Sequence, residues 1–335
     1  MRLILIDKFV KDIKMAEMII VFREVLEASL IIGILYTYLK KNNNDYALSQ
    51  LWKGVNLAII ASFIGSFLFQ ILAGGFQGQA EKIFEGVVMI IASITLTTMI
   101  IWMAQNHNIK QELTEKADQS IKNDNLGIGI FTLAFISVFR EGIETILFLY
   151  GILMKEGNIS IFLSLIGALL GIGVGYLIFI KGRKMPLKSF FNISSVLLIF
   201  VSSGMMAYGV HELESAGIIP YLTGDVESEG NRITATRLSG YTKVFEVSGD
   251  YESLERTEIL AKSEKWASRI WDINPKVKLD NKYPILHDKG LIGGLLKGLF
   301  GYNGDPSLLE FVVWLFYLVS MLYFYNFIRV KSRIK

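Results

Sequence analysis

Two copies of one charged pattern carry the chemistry that this sequence can perform. The first copy reads Arg-Glu-Val-Leu-Glu over residues 23–27, and the second reads Arg-Glu-Gly-Ile-Glu over residues 140–144. On a helix that turns about 100° per residue, Glu27 lies about 40° from Arg23 and Glu24 lies about 100° from it. The spacing therefore predicts two helices that each present two carboxylates and one guanidinium in one direction.

Both copies lie in apolar stretches, where ionised side chains cannot face lipid. Near the bilayer centre each such group costs roughly 2.5–3.5 kcal/mol even on a lenient scale, so the charged groups must face each other or a wet cavity. Carboxylates are hard oxygen ligands that suit hard cations. The sequence has no cysteine and three histidines, which excludes thiolate zinc sites and iron–sulfur clusters. Facing helices that each donate glutamates can enclose one metal ion or a pair, while the arginines hold the carboxylates by fork-like hydrogen bonds.

Two alternatives to a metal site stay open on the residues alone. The charges could pair only to join two helices, or they could line a wet cavity that binds nothing in particular. A buried ion pair is a poor stabilising device, since apolar replacements are often neutral or better, and this one occurs twice with surplus glutamate. Four glutamates (−4) and two arginines (+2) sum to −2, which suits a divalent ion. A trivalent ion would need another carboxylate or the displacement of one arginine.

The remainder of the sequence is organised as a membrane protein. It has 335 residues, 52% of them hydrophobic, and a net charge of +3, with no pattern typical of nucleic-acid binding. Apolar stretches of roughly 20 residues, long enough to span about 30 Å of hydrocarbon, recur along it. Seven spans are predicted, at about 16–39, 54–74, 83–104, 126–154, 159–180, 187–210 and 307–328.

Lysine and arginine are concentrated in alternate connections, which indicates the orientation in the cell membrane. They follow the first, third, fifth and seventh spans, whereas the other short connections carry only Lys82 and Lys155. The N-terminus is therefore predicted outside the cell and the C-terminus in the cytoplasm. The long polar segment before the seventh span is predicted to be extracytoplasmic.

The two motif copies also mark an internal repeat. Each repeat unit contains three spans, and an odd number requires the second unit to cross the membrane in the opposite direction. Small residues at helical spacing, which let helices pack closely in lipid, occur in the second span and in its counterpart, the fifth: Gly54, Ala58, Ser62, Gly167, Gly171 and Gly175. The predicted fold is all-α, with seven transmembrane helices as two inverted three-helix repeats plus one C-terminal helix. This is a transporter-like plan with its site near mid-membrane.

This plan divides the chain into five parts. They are an interfacial N-terminal extension, a six-helix transport core, an extracytoplasmic segment, the seventh helix and a basic cytoplasmic tail, at residues 1–15, 16–212, 213–306, 307–328 and 329–335.

At the two motifs the sequence resembles the iron permease family of oxidase-dependent, high-affinity iron transporters. That family has seven helices, with an Arg-Glu-Gly-Leu-Glu motif in the first and the fourth. Val25 replaces the usual glycine of the first copy, which bears on local helix packing and not on the ligands. Further similar segments extend the resemblance over most of the membrane part: Phe84-Glu85-Gly86, Trp102-Met103, His211-Glu212-Leu213, Gly301-Tyr302-Asn303-Gly304 and Pro306 to Glu310.

The resemblance implies that iron is the transported substrate, as Fe3+. No catalytic residue is assigned, because we do not expect the protein to make or break bonds. It implies a partner at the outer surface, either an iron oxidase or an extracytoplasmic iron-delivery protein, and a homo-oligomer is compatible with it. The implied metal ligands are Glu24, Glu27, Glu141 and Glu144, supported by Arg23 and Arg140.

Four further residues are candidates for a first binding site at the outer mouth: Glu81, Glu85, His211 and Glu212. Acids in a first helical turn and a histidine near a helix C-terminus also complement the helix dipole, so that alternative stays open. In the outer segment, residues 233–247 have the composition of a small β-hairpin, which could dock a partner.

Three functions compete on the sequence. The first is an iron transporter, and the second is a carrier for another hard or heavy cation, such as manganese or lead. The third is an intramembrane di-metal redox enzyme. Soluble di-iron bundles use a Glu-x-x-His motif, and neither copy has that histidine, so the enzyme is the least favoured.

Overall fold

The computed structural model of the protein describes nine stretches of the chain: 15–105, 109–123, 128–156, 159–179, 187–222, 224–247, 253–274, 284–288 and 290–334. The predicted N-terminal extension at 1–15 lies outside these stretches except for Met15.

Helices make up most of the described chain, with one small sheet. In chain order the elements are α1 (Met15–Lys41), α2 (Asp45–Gly74), α3 (Gln79–Gln105), α4 (Ile109–Asn123), α5 (Ile128–Glu156), α6 (Ile161–Phe179), α7 (Leu187–Ser215), β1 (Val226–Glu229), β2 (Arg232–Thr236), β3 (Thr242–Glu246), α8 (Ser253–Ala267), α9 (Leu291–Phe300) and α10 (Leu308–Ile334).

Each of the seven predicted spans falls on a long helix, namely α1, α2, α3, α5, α6, α7 and α10. In the described part of the chain, five helices are long and apolar enough to cross a membrane: α2, α3, α6, Asn192–Ser215 within α7, and Leu308–Val330 within α10. The other two, α1 and α5, carry the motif charges. The prediction of a multi-pass helical membrane protein is confirmed.

The first two helices are joined by a short polar turn whose residues explain both helix ends. Lys40 and Lys41 occupy the last turn of α1, where they complement the helix dipole. Asn43 then adopts a positive φ of 51°. Asn44 caps α2, because its side-chain oxygen accepts a hydrogen bond from the backbone N–H of Ala47 at 3.0 Å.

The chain divides into two compact units. The first consists of the described parts of Met1–Phe76, Ile94–Leu198 and Tyr323–Lys335, and it contains both motif copies. In it α1 packs on α6, α2 packs on α5, and α1 also contacts α5. Each motif helix therefore packs on the second helix of the other predicted repeat.

Small residues allow these helix pairs to approach closely. A Cβ atom on Gly54 of α2 would lie 2.5 Å from the carbonyl oxygen of Phe131 on α5, and one on Gly167 of α6 would lie 2.5 Å from that of Met18 on α1. At such distances an added side chain would force the two helices apart at their crossing. The small-residue faces predicted on the second and fifth spans are thus the packing faces.

The second unit consists of Gln77–Ser93 and Ile199–Leu322. Its described residues include an antiparallel sheet in the order β1-β2-β3. Helix α8 packs on that sheet over the buried side chains of Ile233 and Ala235. The predicted hairpin is confirmed as β2 and β3, which turn through Gly240 with a φ of 85°.

Candidate metal site

The contact between α1 and α5 brings carboxylates from both motif copies together in the first unit. Glu24, Glu141 and Glu144 each offer a carboxylate oxygen, and these three oxygens all lie within 4.8 Å of one another. The three residues are 1%, 5% and 6% exposed, respectively. We call Glu24, Glu141 and Glu144 the carboxylate cluster.

The cluster contains oxygens that no hydrogen bond satisfies. One oxygen of each member, Oε2 in every case, is buried and lacks a hydrogen-bond partner among the residues that the structure describes. Buried polar atoms are ordinarily paired, and three carboxylates at close range repel one another. The donor set and its unpaired oxygens therefore fit a hard cation.

Arg23 is the fixed cation of the site. It is fully buried, and its Nη1 lies 3.1 Å from Glu24 Oε1 while its Nε lies 3.0 Å from Glu27 Oε1. Its Nη2 also donates a hydrogen bond to the thioether sulfur of Met103, on α3, at 3.2 Å. Three neighbours therefore hold the guanidinium. Two of them, Glu24 and Glu27, are the glutamates that the spacing of the first motif predicts on the same helical face as Arg23.

Arg140, its counterpart on α5, has a more open setting. Its side chain is 47% exposed, and its Nε donates to Glu144 Oε1 at 2.9 Å. Glu141 Oε1 is farther away, at 3.9 Å. The guanidinium carbon lies 5.6 Å from the centre of the Trp102 ring, within the range of a cation–π contact.

Glu27 is the one predicted ligand that lies outside the carboxylate cluster. It is 7% exposed and pairs with Arg23. Glu144 occupies the same place in the second motif but does belong to the cluster. The structure thus brings together Glu24, Glu141 and Glu144 and holds Glu27 beside them through the arginine.

The middle residues of the two motifs face small partners, which explains the replacement of a glycine by Val25. The Val25 side chain lies against Gly171 of α6, where an added Cβ would be 3.0 Å from Val25 Cγ1. Gly142 lies against Ser62 of α2, and any side chain on Gly142 would collide with the serine hydroxyl. Each interface keeps one larger and one smaller residue, so the valine does not open the packing of α1.

The outer candidates are distributed over the second unit. Glu81 is exposed, whereas Glu85 is half-buried and interacts with Glu212. His211 turns to Glu310, with 3.3 Å between Nδ1 and Oε2. Among the described residues these side chains do not form a second tight group of three ligands.

A half-buried lysine interacts with these acids. Burial lowers the pKa of Lys265, on α8, below its ordinary value, and the neighbouring Arg269 lowers it further. Glu212 and Glu310 act in the opposite direction. The surroundings of Glu212 and Glu310 are therefore of mixed charge rather than purely acidic.

Three buried acids are missed or underrated by sequence reasoning. Glu17 is fully buried and accepts a hydrogen bond from the backbone N–H of Ser160, just before α6, at 2.7 Å. Its spacing of seven residues from Glu24 places both on one helical face, which is a readable signal. Glu214 accepts from the Ser307 hydroxyl at 2.6 Å.

The third of these acids, Glu310, is by its position alone a simple first-turn acid of α10. In the structure the Ser307 hydroxyl accepts from the Glu310 N–H at 3.1 Å, and Glu310 Oε2 lies 3.4 Å from the Ser307 N–H. This is a capping box, and its Ser-x-x-Glu signature stands in the sequence.

Five helices long and apolar enough to cross a membrane, together with a buried carboxylate cluster whose oxygens fit a cation, define the class as an integral membrane protein with a candidate cation site. The chain belongs to the Iron permease FTR1 family, which it matches over residues 14–225. Membership of a permease family makes it a transporter and not an enzyme.

Relatives match nearly the whole chain. An uncharacterized protein of Archaeoglobus fulgidus is 30% identical over 92% of this chain and 93% of its own. The ferrous iron permease EfeU of Escherichia coli O6:K15:H31 is 26% identical over 91% of this chain and 92% of its own. The protein of the same name from Yersinia pestis is also 26% identical, over 91% and 90%. No solved structure matches the chain.

Proposed function

We propose that the protein moves ferric iron inward across the cell membrane through a mid-membrane site made of the two motif copies. Glu24, Glu141 and Glu144 bind the ion, and Glu27 completes the site through its pairing with Arg23. The observation that carries the proposal is the carboxylate cluster, in which each of three buried glutamates has an unpaired oxygen. The family and the names of the relatives make iron the expected cargo.

The charge balance favours a trivalent ion once the two arginines are treated separately. Arg23 and Glu27 form a close buried pair that is neutral as a whole. The cluster then has a charge of −3, from three glutamates, and Arg140 offsets one of these charges through Glu144. Because Arg140 is half-exposed, it can leave Glu144 and let the three carboxylates neutralise Fe3+.

Ferrous iron is the second candidate. With Arg140 still on Glu144, the cluster and that arginine sum to −2, from three glutamates and one arginine, and this charge matches Fe2+. The relatives in Escherichia coli and Yersinia pestis are named ferrous iron permeases. The position of Arg140 during transport therefore distinguishes the two oxidation states.

The transport path is proposed to follow two inverted three-helix repeats with the C-terminal helix added. The exchanged packing of α1 on α6 and α2 on α5 supports this plan, because each motif helix takes an equivalent partner. The alternation of basic connections supports an N-terminus outside the cell and a C-terminus in the cytoplasm.

Delivery to the site is proposed to involve an iron oxidase or an extracytoplasmic iron-delivery protein at the segment 213–306. Glu81, Glu85, His211 and Glu212 would receive iron at the outer mouth. The proximity of Glu85 to Glu212 and of His211 to Glu310 supports this role.

Uptake of radiolabelled iron into proteoliposomes tests the proposal, with ferric and ferrous iron supplied separately. Wild type should accumulate iron saturably, and Glu141→Gln should not. Glu258→Gln, which removes an exposed carboxylate on α8, is the matched control and should behave as wild type. Binding of iron without accumulation, or full uptake by Glu141→Gln, would contradict the proposal. Excess manganese or lead that suppresses iron uptake completely would instead favour a broader cation carrier.

A further inference from the structure

We propose that Trp102 and Met103, adjacent on α3, position the two motif arginines. In this scheme Met103 holds Arg23 in place, and Trp102 receives the guanidinium of Arg140 when iron displaces it from Glu144. The scheme rests on the proposed function and adds to it a positioning role for each of these two residues.

The two contacts come from consecutive residues of one helix. Met103 Sδ accepts a hydrogen bond from Arg23 Nη2 at 3.2 Å. The ring of Trp102 lies 5.6 Å from the guanidinium carbon of Arg140. Consecutive helical residues point about 100° apart, so one turn of α3 can serve an arginine on α1 and another on α5.

Met103 suits its role because it accepts a hydrogen bond without adding charge. The guanidinium of Arg23 already contacts Glu24 and Glu27, and a third carboxylate there would compete for the arginine. A thioether is a weak, neutral acceptor. It therefore fixes the remaining side of the guanidinium and leaves the charge of the site unchanged.

Trp102 suits a different role, because Arg140 has to move. Arg140 makes one close ion pair, at 2.9 Å with Glu144, and its side chain is 47% exposed. A metal ion that binds Glu144 competes directly with that pair. The Trp102 ring is 36% exposed, and its face attracts a cation that has lost its anionic partner. The ring lowers the cost of freeing Glu144.

The expected signature is a change in KM with little change in kcat. Trp102→Leu should raise the KM for iron uptake about two- to fivefold, the loss expected for a partly exposed cation–π contact. Trp102→Tyr keeps an aromatic face and should restore a near wild-type KM. Met103→Leu keeps the volume and removes the acceptor, so it should loosen Arg23 and leave Arg140 unaffected.

Chemical labelling of arginine reports the movement directly. Purified protein is treated with phenylglyoxal, with and without ferric citrate, and modification is measured by mass spectrometry. In wild type, iron should increase labelling of Arg140 while Arg23 stays protected. In Met103→Leu, Arg23 should become reactive as well.

The uptake and labelling results together separate the two levels of the proposal. Full iron uptake by Glu141→Gln would overturn the proposed function and this scheme with it. If Glu141→Gln is inactive but Trp102→Leu and Trp102→Tyr share the KM of wild type, the positioning pair alone is wrong. Labelling of Arg140 that does not respond to iron would also overturn it.

Discussion

The two motif copies have nearly the same sequence but different surroundings. Arg23 is fully buried and touches Glu24, Glu27 and Met103. Arg140 has a side chain that is 47% exposed, one close carboxylate and an aromatic neighbour. The first copy gives one glutamate to the carboxylate cluster, whereas the second gives two.

We infer from this difference that the two copies have different roles, although their sequences repeat. In the proposed function the first copy is the fixed half, since its arginine is held on three sides and pairs with Glu27 beside the cluster. In the proposed function the second copy is the adjustable half, since its half-exposed arginine leaves Glu144 when iron binds. Two equivalent copies would bind a cation symmetrically, whereas in our proposal the release of Arg140 changes the charge of the site when the cation binds.

Replacement of each motif arginine in turn should give the largest difference in stability between the two copies. Arg23→Gln leaves Glu24 and Glu27 buried without their cation, and it should lower the free energy of unfolding by about 3–5 kcal/mol. Arg140→Gln should lower it less, by about 1–3 kcal/mol, because it leaves only the buried Glu144 without its close partner and Arg140 itself is half-exposed. Unfolding of both variants in detergent, followed by circular dichroism, measures the contrast. Equal losses would show that the two copies are not fixed and adjustable halves.

Replacement of the last glutamate in each motif should distinguish a proposed ligand of the carboxylate cluster, Glu144, from a supporting residue, Glu27. Glu144→Gln removes a proposed ligand and should lower the affinity for iron about a hundredfold. Glu27→Gln removes a group that acts through Arg23 and should lower it about tenfold, as for outer-shell partners of metal sites. Isotope-binding titrations on purified protein give both values. A larger loss for Glu27→Gln than for Glu144→Gln would place the ion nearer the first copy.

Substitutions can give the contact of Gly142 with Ser62 the same residue types as the contact of Val25 with Gly171. Gly142→Val would collide with Ser62 and should cost about 1–3 kcal/mol of stability, as overpacking does. Adding Ser62→Gly should recover much of that loss, because it recreates the arrangement of Val25 against Gly171. Thermal unfolding of the single and double variants measures the recovery. No recovery in the double variant would mean that the two interfaces are not equivalent.

A smaller effect should distinguish the packed face of α6 from its open face. Gly167→Ala places a Cβ against the carbonyl oxygen of Met18 and should destabilise the protein by about 1 kcal/mol, the low end of the overpacking range. Gly173→Ala meets nothing within 4 Å and should be neutral or slightly stabilising, since alanine favours helix. The same unfolding assay compares the pair. Equal behaviour of the two variants would argue against the observed pairing of α1 with α6.

Helix positions can be predicted well because the apolar runs are long, and the errors fall at the helix ends that lie outside those runs. The apolar run predicts the second span from residue 54, whereas α2 begins at Asp45. The first turns of α2 mix polar and apolar residues and fall outside that run, and the Asn44 cap starts the helix there. Similarly, α7 continues to Ser215 through polar residues that follow the predicted end at 210.

The candidate site can be predicted only in part. Spacing within a helix places Arg23, Glu24 and Glu27 on one face, and all three do lie together in the structure. The same spacing cannot show that Glu27 stays with its arginine while Glu144 joins the cluster. Nor can it show that Met103, an ordinary packing residue by type, accepts a hydrogen bond from Arg23.

The sequence by itself determined the repeated charged faces, the apolar helices that carry them and the small residues that let those helices meet. These properties depend on the fixed angle between helical residues and on the cost of charge in lipid, both of which are local. Only the tertiary structure decided which helices pair, which three glutamates converge and which arginine is buried. Those outcomes depend on how far apart helix axes lie, and that distance is set by contacts between residues far apart in the chain, such as Gly167 with Met18.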